Sequence, residues 1–160
     1  MTVHRSSLVF AAAAALLVAL AFTTLRANAH LVESHRPVQI RVYSRQPWTS
    51  TSIYLHQGES IKVRAGGSVS WQPHHRRVGP TGLPFNDYLC ASAQYSGSAF
   101  QAPGINCWSL MARIGQIDVP FFVGSSFHLK SPSGGRLYLG FNDDTYSDNS
   151  GSFKVTVTLR

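Results

Sequence analysis

Charge is sparse in this chain of 160 residues, and negative charge is sparser still. Seven Asp and Glu stand against 14 Lys and Arg, and charged residues make up only 13% of the chain. With 44% hydrophobic residues, the composition excludes an intrinsically disordered chain, which lacks the apolar surface to offset the entropy of ordering. Two cysteines cannot staple a disulfide-dense miniprotein. The 13 Gly and 8 Pro follow no triplet period, which excludes a collagen-like rod. No internal repeat of about 20–50 residues is visible. No long stretch carries apolar residues at helical spacing, so a helical bundle is not expected. A GxSxG elbow, an HExxH motif and a phosphate-binding glycine loop are all absent. Glu33 and Glu59 stand in separate strand-edge contexts and make no acid–base pair. The length suits one domain.

One uninterrupted apolar run is present, Leu8–Phe22, behind the short basic start of His4 and Arg5. Ala27-Asn28-Ala29 follows with the small-x-small pattern that signal peptidase accepts. Residues 1–29 therefore read as an export signal, with 30–160 as a single mature domain, secreted or periplasmic. The alternative is a retained anchor, but the run is near the short end for a bilayer span of about 20 residues. After cleavage no stable membrane insertion is expected. The removed segment carries Arg5, Arg26 and no acid, so twelve basic residues remain against seven acidic ones. They are spread singly, without interleaved aromatics, so nucleic acid is not the expected partner. The positive balance reads as solubility or attraction to anionic cell surfaces.

Export bears on Cys90 and Cys107. An even pair in an oxidising compartment is a disulfide by default, with two buried thiols as the alternative. Closing a loop of about 18 residues contributes roughly 3 kcal/mol in the chain-entropy picture.

Where the mature chain shows a period, the period is two. Val38–Tyr43, Ile61–Arg64 and Phe153–Leu159 alternate apolar with polar, and Arg136–Phe141 does so less strictly. Alternation of this kind gives a strand one core face and one wet face. Short strands bounded by Gly, Pro, Ser and Asn predict an all-β fold, an antiparallel sandwich or jelly roll. Gly79–Asn106 is rich in Gly, Pro and Ser and reads as a long loop excursion tied down by the cysteines; long ordered loops of this kind are often functional.

The informative stretch is Asn142–Gly151, NDDTYSDNSG. Three of the seven acids, Asp143, Asp144 and Asp148, fall within six residues between two expected strands. Gathered like charges oppose a compact state. A hard cation reverses that sign, and calcium takes six to eight oxygens at about 2.3–2.6 Å. The spacing is not that of an EF-hand, and Asp, Asn, Ser and Gly are also ordinary turn residues. No Cys or His lies in the turn, which disfavours zinc. A cation held by one turn keeps open positions, and two neighbouring sugar hydroxyls can fill them. That is binding chemistry and needs no nucleophile.

At these residues the chain resembles the PA-IL-like family of bacterial galactose-binding lectins. The matching pieces are Leu137–Asp143, Asp148–Phe153, Thr51–Ile53, Gly58–Ile61, Ala65–Gly67 with Trp71–Pro73, Gly79–Gly82, and Cys107 with Leu110–Gly115. The resemblance implies a jelly-roll-like, galactose-binding-domain-like β-sandwich and one calcium ion that bridges protein and galactose-type sugar. It implies side-chain ligands at Asp143, Asp148 and Asn149, and backbone carbonyl ligands at Trp71 and Thr145. Asp148 stands where the best-known member has Asn, and the turn is two residues shorter. Sugar contacts are expected from Asp143, Asp144 and Asp148, and from Asn86, which falls at a specificity position; Leu89 falls at the other. Homo-oligomeric assembly is also expected, since several weak sites on one particle raise avidity.

Other residues have plainer readings. Gln72–Arg77, QPHHRR, could rim a sugar site but reads first as a solvated loop. Of the aromatics able to stack on a sugar, Tyr146 is favoured because it lies inside the acidic turn. Trp108 is expected to pack on the disulfide. His30, at the mature N-terminus, raises a copper monooxygenase as the enzymatic alternative, with His74, His75 or His128 as the second ligand. A calcium-stabilised adhesion domain without a sugar site is the third reading.

Overall fold

The computed structural model describes residues 36–73, 76–95, 99–115 and 119–160. The expected export segment and His30 lie outside the described residues, as do His74 and His75. A unit boundary falls after Arg36, and everything below concerns Pro37–Arg160.

The four period-two segments fall in strands, and four further strands join them. In chain order they are β1 (Val38–Tyr43), β2 (Trp48–Leu55), β3 (Ser60–Ser70), β4 (Leu110–Ile114), β5 (Phe121–Phe122), β6 (Ser126–Lys130), β7 (Gly135–Phe141) and β8 (Ser150–Leu159). They make two antiparallel four-stranded sheets, one ordered β1-β8-β3-β6 and the other β2-β7-β4-β5. The all-β sandwich read from the sequence is the fold. Alternation places Phe153, Val155 and Val157 of β8 and Leu137, Leu139 and Phe141 of β7 inside, fully or almost fully buried. They meet Ile53, Leu55, Ile61, Val63, Leu110 and Ile114 in one core. Burying each such side chain contributes about 1.5–3 kcal/mol.

Strand β2 departs from strict alternation. Between Ser50, opposite Tyr138, and Tyr54, opposite Arg136, four steps along β2 match two along β7. Thr51 occupies a buried position there. Its Oγ1 donates to the Leu137 carbonyl at 2.7 Å and accepts from the Ile53 N–H at 3.1 Å. The hydroxyl thus satisfies backbone groups that the bulge takes out of the ladder.

The Gly79–Asn106 excursion holds a feature the sequence reading did not expect, the helix α1 (Tyr88–Tyr95). Its sequence, YLCASAQY, has no apolar stripe, so periodicity could not signal it. Asp87 starts it: the carboxylate accepts from the Leu89 N–H at 2.9 Å and the Asp87 carbonyl from the Ala91 N–H at 2.8 Å. That is the N-cap arrangement. The cysteines pair as expected, and the Cys90–Cys107 disulfide joins α1 to the end of the excursion with both residues fully buried. Gln94 straps the same loop, donating to the Ile105 carbonyl and accepting from the Gly104 N–H. Gly82 sits at positive φ, and a Cβ there would collide with the Cys107 carbonyl, so only glycine lets the start of the excursion pass its end this closely.

Candidate functional site

The turn from β7 to β8 crosses from one sheet to the other at one end of the sandwich. Three further segments reach the same end. The β1–β2 connection arrives with Ser44, whose N–H and Oγ both donate to the Gly151 carbonyl, at 3.2 and 3.1 Å. Strand β3 ends at Ser70, paired with Ser150, and Trp71 follows it. The excursion returns at Cys107–Ser109, where the Trp108 N–H donates to the Asn142 carbonyl at 2.7 Å and the Asn142 N–H to the Ser109 carbonyl at 3.0 Å.

Asp143 is the centre of this convergence. It is 2% exposed, and three donors surround its carboxylate. The Trp108 indole N–H donates to Oδ1 at 3.0 Å, and the Asp144 backbone N–H donates to Oδ1 at 2.9 Å. The Asn149 amide donates to Oδ2 at 2.7 Å. Among the described residues no salt bridge to Asp143 forms, and neutral donors only partly replace lost water. Burial therefore pushes Asp143 from the ordinary 3.8 to about 7, with the negative charge of Asp144 adding to the rise and the Asn149 and Asp144 donors opposing it. The Tyr146 hydroxyl is pushed up as well, first by burial and then by the charge of Asp143.

Asn149 is fully buried. Its Nδ2 faces three oxygens at once: Asp143 Oδ2 at 2.7 Å, the Thr145 carbonyl at 2.9 Å and the Ser44 carbonyl at 2.9 Å. Two N–H bonds serve three acceptors. The other end of the amide, Asn149 Oδ1, is buried with no hydrogen-bond partner, and so is Asp148 Oδ1. Buried oxygens in this state are rare, and a bound cation is one group that could satisfy them. The set consists of carboxylate, amide and carbonyl oxygens, which suits a hard cation such as calcium. No cluster of three or more His, Cys, Asp or Glu suited to an ion forms among the described residues. The set depends instead on the Asn149 amide and backbone oxygens.

The structure brings Asp143, Thr145 and Asn149 into one hydrogen-bonded group, with the orphaned Asp148 oxygen in the same turn. Asp144 and Thr145 have exposed side chains. Tyr146 packs against the core, and its hydroxyl donates toward the Phe141 and Asp143 carbonyls at 3.1 and 2.9 Å, bracing the turn. Trp71 is 7% exposed. Asn86 is exposed in the turn before α1, and Leu89 is exposed on the helix itself. Of QPHHRR, Arg77 is committed to β3, where its guanidinium donates to the Ser68 hydroxyl and carbonyl. His128 lies on β6.

Trp108 has partners beyond the neighbouring disulfide. Its ring stacks on Trp71 with centroids 4.3 Å apart and planes 18° from parallel, and its N–H is given to Asp143. Its role at this end of the sandwich was not read from the sequence, nor was that of Ser44. They stand 35 residues from Asp143 and 105 from Asn149, and no local pattern links them. Asn142, noted only as a flank of the acids, is a strut: its side chain accepts from the Ala102 N–H and donates to the Ala102 and Asn106 carbonyls, tying the excursion to the acidic turn.

No protein-family model and no curated protein matches the chain. Among solved structures it is similar to one described as the EclA N-terminal domain, a PllA-like lectin. The TM-score is 0.59 and the identity 25%, over 80% of this chain and 99% of that one.

Proposed function

We propose that this chain is a lectin that binds galactose-type glycans through calcium, without catalysis. The observation that carries the reading is the pair of buried, partnerless oxygens, Asp148 Oδ1 and Asn149 Oδ1, beside the buried carboxylate of Asp143. Similarity to a PllA-like lectin along nearly that chain's whole length supports a carbohydrate ligand.

Asp143, Asp148 and Asn149 would hold the ion through side chains, with carbonyls of Thr145 and Trp71. Bound calcium would offer open coordination positions that two vicinal sugar hydroxyls complete. The protein's own task is to keep several oxygens converged at one buried end of the sandwich. In the described arrangement the Asn149 amide nitrogen draws Asp143 Oδ2 and the Thr145 carbonyl together. A half-turn of that amide presents its oxygen to the same place, and the two ends are nearly equal in size. Asp144, exposed on the rim, and Asn86 are the expected hydroxyl partners. Export, which the disulfide suits, would place the site where glycans are met.

The test is retention on galactose-agarose in calcium, followed by elution with EDTA and a glycan array run under both conditions. Calcium-dependent retention reversed by EDTA is expected. Retention indifferent to chelator overturns the ion's role, and no glycan bound in calcium overturns the lectin reading.

A further inference from the structure

Trp108 adopts φ of 55°, and it is the one non-glycine residue at positive φ among the described residues. A bulky side chain in that region is strained, and such strain persists only where the surroundings over-determine it. Here they do. On one side Cys107 is held by the disulfide and by the Leu83 N–H, which donates to its carbonyl at 2.9 Å. On the other, the Trp108 N–H is fixed to the Asn142 carbonyl at 2.7 Å. The left-handed turn sends the indole inward, where it is 6% exposed, so it offers no face to a sugar.

What the ring touches is more telling. One face stacks on Trp71 at 4.3 Å, Phe100 meets it edge-on at 6.1 Å, and Nε1 lies 3.0 Å from Asp143 Oδ1. Trp71 follows β3 and Asp143 follows β7, in different sheets. A single side chain thus braces two of the candidate ligand-bearing residues. An indole N–H can only donate. It claims a lone pair of Oδ1 and so fixes the plane of the carboxylate, with Oδ2 turned toward the Asn149 amide.

We propose that Trp108 is a positioning residue for the cation site, its indole N–H orienting the Asp143 carboxylate and its ring bracing Trp71. The inference rests on the calcium reading above. Groups that hydrogen-bond to a ligating carboxylate tune affinity without touching the ion, and losing one typically weakens binding by roughly 10–100-fold.

The experiment titrates the purified protein with calcium alone, by calorimetry, for wild type and Trp108→Phe, and melts both in EDTA. Phenylalanine keeps an aromatic ring beside Trp71 and deletes the donor together with part of the buried ring system. The expected result is a Kd raised by roughly 10–100-fold, with a lowered melting temperature in EDTA from the lost packing and donor. A merely structural tryptophan would lower that melting temperature and leave Kd alone, which overturns the proposal. Wild type that takes up no calcium overturns the functional reading itself, so the two failures are distinguishable. Should the variant not fold, the indole N–H resonances of wild type decide. Trp108 must shift on calcium saturation while Trp48, stacked under Arg113 at 4.3 Å, stays in place as the control. A Trp108 resonance that does not move overturns the proposal.

Discussion

The two longest connections of the upper sandwich end, the acidic turn Asn142–Asn149 and the excursion Gly79–Asn106, are held by opposite means. The excursion closes on itself: a disulfide, a capped helix, and Gln94 and Asn106 spanning its arms. Several of its polar groups find partners within the loop. The acidic turn buries a carboxylate at the cost of a raised pKa and leaves two oxygens without partners. One region is held largely by its own atoms, and the other leaves oxygens that the proposed ion would complete. The link between them is Asn142, whose backbone and side chain both reach across.

The largest expected effect breaks that contrast at its unsatisfied half. Asp143→Ala and Asn149→Ala should each abolish calcium-dependent retention on galactose-agarose, since each removes a converging oxygen. Retention that survives either change means the ion binds elsewhere. Next comes pH. Asp143 binds its proton more tightly folded, at about 7, than unfolded, near 3.8. Its contribution to stability is therefore fully present below about 4 and is lost as pH rises through 7. In EDTA the melting temperature should fall across that window, and in saturating calcium the fall should shrink or reverse, because a cation favours the ionised form. Calorimetric scans from pH 4 to 8, with and without calcium, check the sign.

The self-satisfied half has its own test. Replacing Cys90 and Cys107 together by Ser should destabilise the fold by about 3 kcal/mol, read by urea unfolding. The Asn142 strut persists in that variant, so calcium binding should weaken far less than in Asp143→Ala. Equal losses would mean the two regions are one.

How legible each region was follows from the same contrast. The core strands announced themselves because Phe153, Val155 and Val157 alternate without exception. β2 did not, because Thr51 occupies a core position and spreads the register. The acidic turn was legible as a strand connection because its acids and amides fall within a few positions of one another. Trp108 and Ser44 were not, because only the sandwich brings them there. For the excursion, Gly, Pro and Ser signalled irregularity correctly, but they hid a helix that depends on one cap.

That cap gives the smallest effect and the sharpest comparison. Asp87→Ala removes the acceptor for the Leu89 N–H, which costs about 1 kcal/mol at a typical N-cap. In a domain of this size the melting temperature should drop by roughly 3–5 °C. Asp87→Asn should restore most of it, since the amide oxygen caps equally well. Both variants remove the negative charge of Asp87, whereas only Ala loses the cap. Calcium affinity should therefore stay at the wild-type value in both if the excursion carries its load independently. A loss shared by Ala and Asn would instead assign Asp87 an electrostatic part in the site, and a loss confined to Ala would show that the fraying of α1 is transmitted through Cys107 to the carboxylate Trp108 holds.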